Sequence, residues 1–152
     1  MRIAIWLARC MVVTAGLCFS ITPSIAQDHF ITDAVNIPAS VNNVDAGGYW
    51  SDGGSEGFFR TIVLAGGVEQ VGHRLYVQWI AVSSETQDYR LIRTVNVKEF
   101  NEGHGVILQL VTDFATLDQL TASIEATSVR GGEVRRYVLT ATKDGVYRLT
   151  SE

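Results

Sequence analysis

The stretch that decides the fold is Phe58–Ser83, which reads FFRTIVLAGGVEQVGHRLYVQWIAVS. Two runs rich in β-branched and aromatic residues, Phe58–Ala65 and Arg74–Ser83, flank a glycine-bearing connection. Successive side chains of a strand point to opposite faces of a sheet, so alternation of apolar and polar residues indicates a strand with one buried face. The pattern therefore predicts an antiparallel hairpin at the centre of the chain.

The second of these runs has distinct inner and outer sides. Its inner positions are apolar: Leu75, Val77, Trp79 and Ala81. Its outer positions form a polar stripe: Arg74, Tyr76 and Gln78. Such a stripe is usually the solvated side of a sheet, and it is also a surface that an interface can use.

The rest of the chain repeats the β pattern in shorter segments. Strands are predicted at about Tyr89–Lys98, at Val106–Val111 and along two hairpins in the C-terminal third. Between them, apolar residues recur at every third position of 113–120, which favours a short helix there. The sequence thus predicts an all-β fold of six or seven antiparallel strands with one short helix, arranged as a single antiparallel β-sandwich or a small up-and-down barrel.

A glycine pair predicts the register of the first C-terminal hairpin. A two-residue turn at Gly131–Gly132 is the expected connection. It implies these pairs: Ala126 with Tyr137, Ile124 with Leu139 and Ala122 with Ala141. All six side chains are small or apolar, so turn and hydrophobic pattern agree on this register.

The last turn is predicted to be a three-residue loop, Lys143–Gly145. It implies these pairs: Leu139 with Leu149 and Ala141 with Tyr147. A two-residue turn at Asp144 and Gly145 would instead place Tyr147 and Leu149 on the face opposite Leu139. Burying each of them contributes about 1.5–3 kcal/mol, which is more than the preference between turn types.

The first 26 residues have the pattern of a secretory signal peptide. A basic start is followed by an apolar run from Cys10 to Ile21 and by small residues at Ser24 and Ala26. We expect cleavage after Ala26, an extended arm at 27–48 and one β domain at 49–152, without a membrane span after cleavage. Both cysteines lie in the leader, so the expected mature protein is cysteine-free and periplasmic or secreted.

The charge of the expected mature chain disfavours polyanionic partners. Arg2 and Arg9 fall in the leader, which leaves 10 basic residues against 16 acidic ones, a formal charge of −6. Nucleic acids and anionic lipid surfaces are bound by clusters of lysine and arginine. We therefore expect no nucleic-acid partner, and a protein partner in the exported compartment instead.

The sequence offers little that supports catalysis. Gly53–Gly57 matches the G-x-S-x-G nucleophile motif, with Asp88 and His104 as nominal partners of Ser55. That motif requires a strand before the serine and a helix after it, and this chain lacks the βαβ alternation of such enzymes. Glu102 and His104 supply only two metal ligands, where a site needs three or four. We expect no enzyme activity, no metal and no cofactor.

Arg93 is anomalous because strict alternation places it on the apolar side of its strand. Tyr89, Leu91, Val95 and Val97 share that side. A charge in this position must be paired or must extend to the rim of the sheet. Alternatively, it could hold an anionic ligand at the mouth of a barrel.

Two functional hypotheses follow from these patterns. The first is an exported, non-enzymatic β domain that binds another macromolecule through its sheet surface or its loops. The second is a small-ligand carrier, which requires an interior pocket of at least about 300 Å³ that touches Arg93 or Trp79. The candidate ligand-binding residues are Arg93, Trp79, Arg74, Tyr76 and Gln78.

Overall fold

The computed structural model describes residues 36–67, 71–86, 88–102, 105–113 and 117–152. The predicted signal peptide, the start of the predicted arm and His104 lie outside these ranges. Within them, the elements are β1 (Val41–Asp52), β2 (Ser55–Gly66), β3 (Gly72–Val82), β4 (Tyr89–Asn96), α1 (Lys98–Asn101), β5 (Val106–Asp113), β6 (Gln119–Ser128), β7 (Val134–Thr142) and β8 (Tyr147–Ser151). No helix in these ranges has the length and apolar composition needed to cross a membrane.

The strands form two antiparallel sheets of four, each in simple up-and-down order. The first sheet has the order β1-β2-β3-β4 and the second has the order β5-β6-β7-β8. The all-β class and the central hairpin predicted from the sequence are confirmed, because β2 pairs with β3 through Phe59 and Trp79.

The first strand starts before residue 49, the predicted start of the β domain. β1 begins at Val41, so the described end of the predicted arm is already strand. The polar residues Asn42 and Asn43 hide the β pattern, and a register shift between Gly47 and Tyr49 interrupts the alternation. β1 is an edge strand of its sheet.

The short helix is not where the sequence predicted it. Asp113 ends β5 and Leu120 lies buried in β6, so the helix expected over 113–120 is wrong at both described ends. The observed helix, α1, begins at Lys98, the last residue of a predicted strand, and continues into the segment after it, where no helix was predicted. Tertiary contacts hold it: Phe100 is buried with its ring 5.3 Å from that of Tyr137. The side chain of Asn101 also hydrogen-bonds the backbone N–H and C=O of Leu75.

The register of the last hairpin confirms the three-residue loop. Leu139 pairs with Leu149, and Ala141 pairs with Tyr147. Gly145 closes the loop at φ +83°, a conformation that glycine adopts without a steric cost. Burial of the large side chains therefore decided the turn type as expected.

The preceding hairpin differs from its prediction by two residues. Its loop contains the four residues from Val129 to Gly132, closed by a hydrogen bond from Ser128 N–H to Glu133 C=O. The observed pairs are Ala126 with Arg135, Ile124 with Tyr137 and Ala122 with Leu139. The predicted register is wrong, but the inward face is right, because a shift of two residues preserves the side-chain alternation.

The expected common side of β4 is also wrong, because a bulge interrupts the strand. Leu91 lies opposite Ile80, whereas Arg93 lies opposite Trp79, so two residues of β4 oppose one of β3. Ile92 is the extra residue, and it reverses the alternation. Tyr89 and Leu91 are consequently on the outer side of the sheet.

One hydrophobic core contains side chains from both sheets. Its fully buried members include Phe59, Leu75, Val77, Val97, Leu120, Ile124 and Leu139. Each such side chain stabilises the fold by about 1.5–3 kcal/mol. His73, a buried residue of β3, links the sheets by accepting a hydrogen bond from Leu108 N–H at Nδ1, at 2.9 Å.

Candidate binding surface on the first sheet

The outer sides of the two sheets differ in chemistry. In the second sheet, the central strand β6 is entirely polar on the outside: Thr121, Ser123, Glu125 and Thr127. Glu125 forms an ion pair of 3.4 Å with Arg136 across that face. In the first sheet, the outer sides of β2 and β3 carry large apolar residues near one end. This asymmetry singles out the first sheet.

A cross-strand row of apolar side chains runs over all four strands of the first sheet. The row consists of Tyr49, Phe58, Ile80 and Leu91, one residue from each strand. The neighbouring row adds Val82 and Tyr89, and the rings of Phe58 and Tyr89 meet edge to face at 5.9 Å. We call these six residues the apolar patch.

The apolar patch is exposed at its margins. Tyr89 is 72% exposed, Tyr49 is 62% exposed and Leu91 is 52% exposed, whereas Ile80 at the centre is 4% exposed. Cross-strand pairs of aromatic and β-branched residues stabilise a sheet. That stabilisation does not depend on the aromatic rings being exposed to water. A contiguous exposed apolar surface on a folded protein marks an interaction site.

The bulge in β4 and the close approach of β1 to β6 create this patch. The backbone oxygen of Tyr49 accepts a hydrogen bond from Asp118 N–H at 2.5 Å, and Asp118 Oδ1 accepts one from Ser51 N–H at 3.0 Å. A Cβ atom at Gly48 would meet the carbonyl oxygen of Gln119. The backbone on both sides of Tyr49 is therefore anchored, while its side chain points outward.

A polar cleft adjoins the apolar patch where the β1–β2 and β3–β4 turns lie side by side. Its volume is about 540 Å³, and its lining includes Ser51, Ser55, Glu56, Glu85, Asp88 and Arg90. Two smaller clefts of about 360 and 420 Å³ continue it across the patch, since both are lined by Tyr49, Phe58 and Val82. Apolar and polar recognition groups thus share one continuous surface.

Ser55 contributes to the polar cleft without the geometry of a nucleophile elbow. It is the first residue of β2 and pairs with Asp52 across a turn of Gly53 and Gly54. The serine therefore lies between two strands, and no helix follows it. Among the described residues, no group of three or more histidine, cysteine or acidic side chains could hold a metal ion.

The polar stripe lies on the outer side of β3, as its alternation predicts. Gln78 is only 9% exposed, since its amide accepts from Arg60 Nε at 2.9 Å and donates to Thr94 Oγ1 at 3.1 Å. The hydrogen-bonded row of Arg60, Gln78 and Thr94 borders the apolar patch on the side away from the polar cleft. Tyr76 and Arg74 lie further along the same face.

Trp79 and Arg93 are both on the inner side, outside the clefts of the patch. The indole of Trp79 packs 5.6 Å from the ring of Phe59, and its Nε1 donates to Thr142 C=O at 3.1 Å. Arg93 is exposed at the rim, where its Nη1 donates to Asp144 C=O at 3.0 Å beside Gly145. The guanidinium of Arg93 therefore has a hydrogen-bond partner in the loop between β7 and β8.

None of the six residues of the apolar patch was among the sequence-based candidates. A signal for them was present, because continuing the alternation of the polar stripe leads to Ile80 and Val82 on the same outer side. The bulge that adds Tyr89 and Leu91 has no signature in a single sequence.

Comparison with known proteins does not extend this description. No family model matches the chain, and the searches of curated proteins and of solved structures found no significant match.

Proposed function

We propose that this chain is an exported, non-enzymatic binding protein that docks another macromolecule on the outer side of its first sheet. The observation that carries the proposal is the exposed apolar patch beside the polar cleft. Interfaces combine an apolar, aromatic centre with a polar rim, and this surface has both parts. Export is inferred from the signal-peptide pattern of residues 1–26.

We infer that the two sheets pack face to face as a β-sandwich. The support is a core that draws side chains from both sheets, with His73 of β3 bonded to Leu108 of β5 between them. A sandwich leaves two outer faces; among the described residues, the first sheet carries the six-residue apolar patch, whereas on the second sheet the polar outer side of β6 separates Val111 of β5 from Val134 and Val138 of β7. The sandwich therefore acts as a rigid support for a single binding face.

The carrier hypothesis has less support from the packing. It requires a cavity that touches Trp79 or Arg93. Trp79 is 3% exposed with its ring against Phe59, and the arginine is bonded to the loop after β7. Side chains occupy the space that a carried ligand would need around the indole.

The proposal is tested by removing the aromatic rings at the margins of the patch. Immobilised protein would be exposed to the exported fraction of its source cells, and the macromolecules retained would be quantified. We expect the double variant Tyr49→Ser, Tyr89→Ser to abolish retention. The matched control is Val111→Ser, Val134→Ser, which removes exposed apolar side chains from the outer side of the second sheet. Equal retention by both double variants would contradict the proposal.

A further inference from the structure

We propose that the ligand of this surface is a neutral glycan chain, whose sugar rings stack on Tyr49 and Tyr89 while its hydroxyl groups hydrogen-bond within the polar cleft. This inference rests on the proposed function and specifies its partner. It follows from two properties of the surface, which concern the rings and the polar groups.

The exposed rings suit the apolar face of a sugar. A pyranose ring presents C–H bonds on its faces and hydroxyl groups around its edge, and the negative face of an aromatic ring attracts such C–H bonds. Tyr49 and Tyr89 are on the two edge strands, whose backbones are about 14 Å apart across the sheet, and Tyr89 lies two residues along from the row of Tyr49. Both side chains line the same cleft of about 420 Å³. Phe58 fixes the Tyr89 ring by an edge-to-face contact. A short oligosaccharide therefore spans both rings without ordering a flexible loop.

The polar cleft offers both donors and acceptors that are not used within the fold. Among the described residues, none forms a hydrogen bond or ion pair with the side chains of Glu56, Glu85 or Arg90. Each sugar hydroxyl both donates and accepts, so it needs carboxylate acceptors and guanidinium or serine donors close together. The cleft volume of about 540 Å³ is within the range of ligand-binding clefts.

The charge of the polar cleft identifies its competing occupant. Three acidic residues and one arginine line the cleft, Glu56, Glu85, Asp88 and Arg90, so a basic peptide is the alternative that the cationic probe below tests. A second copy pairing antiparallel along the edge of β4, centred between Leu91 and Ile92, would set Arg90 opposite Arg93. Like charges directly opposite each other destabilise a strand pair.

The test measures binding of purified protein to a panel of neutral hexasaccharides by isothermal titration calorimetry. The panel comprises gluco-, manno-, xylo-, galacto- and N-acetylglucosamine-based chains, and a decalysine peptide is the cationic probe. We expect one or more hexasaccharides to bind, more tightly than the corresponding disaccharide, and Tyr89→Ala to weaken that binding about tenfold. Val111→Ala, on the second sheet, should leave it unchanged.

Tyr89→Leu separates stacking from packing. Leucine preserves apolar surface beside Phe58 but has no aromatic face, so we expect the same loss of glycan affinity with an unchanged melting temperature. Glu56→Gln should also weaken binding, because a carboxylate accepts stronger hydrogen bonds than an amide does.

Two outcomes overturn the inference. Binding of decalysine with no binding of any hexasaccharide would identify a cation site instead. Absence of binding to every probe would also refute the glycan assignment. If the Tyr49→Ser, Tyr89→Ser variant still abolished retention of exported macromolecules, the docking function would stand without the glycan. If that variant still retained exported macromolecules, the docking function and the glycan assignment would both fail.

Discussion

Leu91 lies opposite Ile80 on the outer side of the first sheet, although the sequence places it in register with the buried Val97. The bulge at Ile92 accounts for the difference, because one extra residue exchanges the two faces of the strand. The same bulge moves Tyr89 outward and places Arg93 opposite Trp79. An irregularity of one residue therefore supplies two of the six residues of the apolar patch.

The bulge predicts unequal stability effects at Leu91 and Val97. Leu91→Ala should lower the free energy of unfolding by less than about 1 kcal/mol, because the side chain is already half exposed. Val97→Ala should lower it by about 2–3 kcal/mol, because its side chain is fully buried. Urea denaturation measures both. Equal losses would mean that the two residues share one face and that the bulge is absent.

Gly48 should be intolerant of a side chain because of both its conformation and its surroundings. Its φ is +63°, and an added Cβ would meet the carbonyl oxygen of Gln119. Gly48→Ala should destabilise the protein by about 2–4 kcal/mol. Gly53 is the control, since it has φ +54° but no atom within 4 Å of an added Cβ. Gly53→Ala should therefore lower the free energy of unfolding by only about 1–2 kcal/mol. Thermal denaturation measures both variants. Equal losses of melting temperature in Gly48→Ala and Gly53→Ala would exclude a close contact between β1 and β6.

Thr112 should tolerate replacement of its hydroxyl by a methyl group. That hydroxyl is buried and has no hydrogen-bond partner among the described residues. Thr112→Val should therefore stabilise the protein by about 1 kcal/mol. The control is Thr61→Val, where the buried hydroxyl donates to Asp45 C=O at 3.3 Å, and a loss of about 1 kcal/mol is expected. Destabilisation by Thr112→Val, measured in urea, would show that the hydroxyl has a partner.

Tyr147 should make stability depend on alkaline pH. Burial raises the pKa of its phenol above the usual 10.0, and the carboxylate of Glu99, whose Oε2 accepts a hydrogen bond from the phenolic O–H at 2.9 Å, acts in the same direction. The folded pKa exceeds the unfolded one, so the unfolded chain loses this proton first and stability falls as pH rises above about 10. In Tyr147→Phe this contribution is absent. Its urea midpoint should fall less steeply between about pH 9.5 and 11.5 than that of the wild type, and parallel curves would contradict the assignment.

The sequence predicted those parts of the fold that side-chain alternation and burial determine. Alternation predicts the hairpin of β2 and β3, and burial predicts the three-residue loop before β8. Both predictions are confirmed. The register of β6 and β7 was missed by two residues, because the glycine pair also fits a longer loop and both registers bury the same face. Helix α1 depends on contacts of Phe100 and Asn101 with distant strands, which local periodicity does not report.

The sequence indicated the outer side of β3 but not the apolar patch beside its polar stripe. Alternation in β3 identified an outer side, and the structure places the polar stripe there. The patch itself requires the bulge in β4 and the position of Tyr49 on an edge strand, and both depend on pairing between strands. Alternation in the sequence singled out Arg93 as unusual but did not identify its hydrogen-bond partner, the carbonyl of Asp144, which is fifty-one residues away.

The central claim is that ligands dock on the apolar patch, and site-specific photo-crosslinking tests it most directly. A benzophenone side chain, which inserts into C–H bonds of proteins and glycans alike, would replace Tyr89 in one variant and the equally exposed Val111 of the second sheet in another. After irradiation with the exported fraction, the account predicts a discrete adduct from position 89 and none from position 111. Adducts of equal yield from both positions, or from position 111 alone, would contradict it.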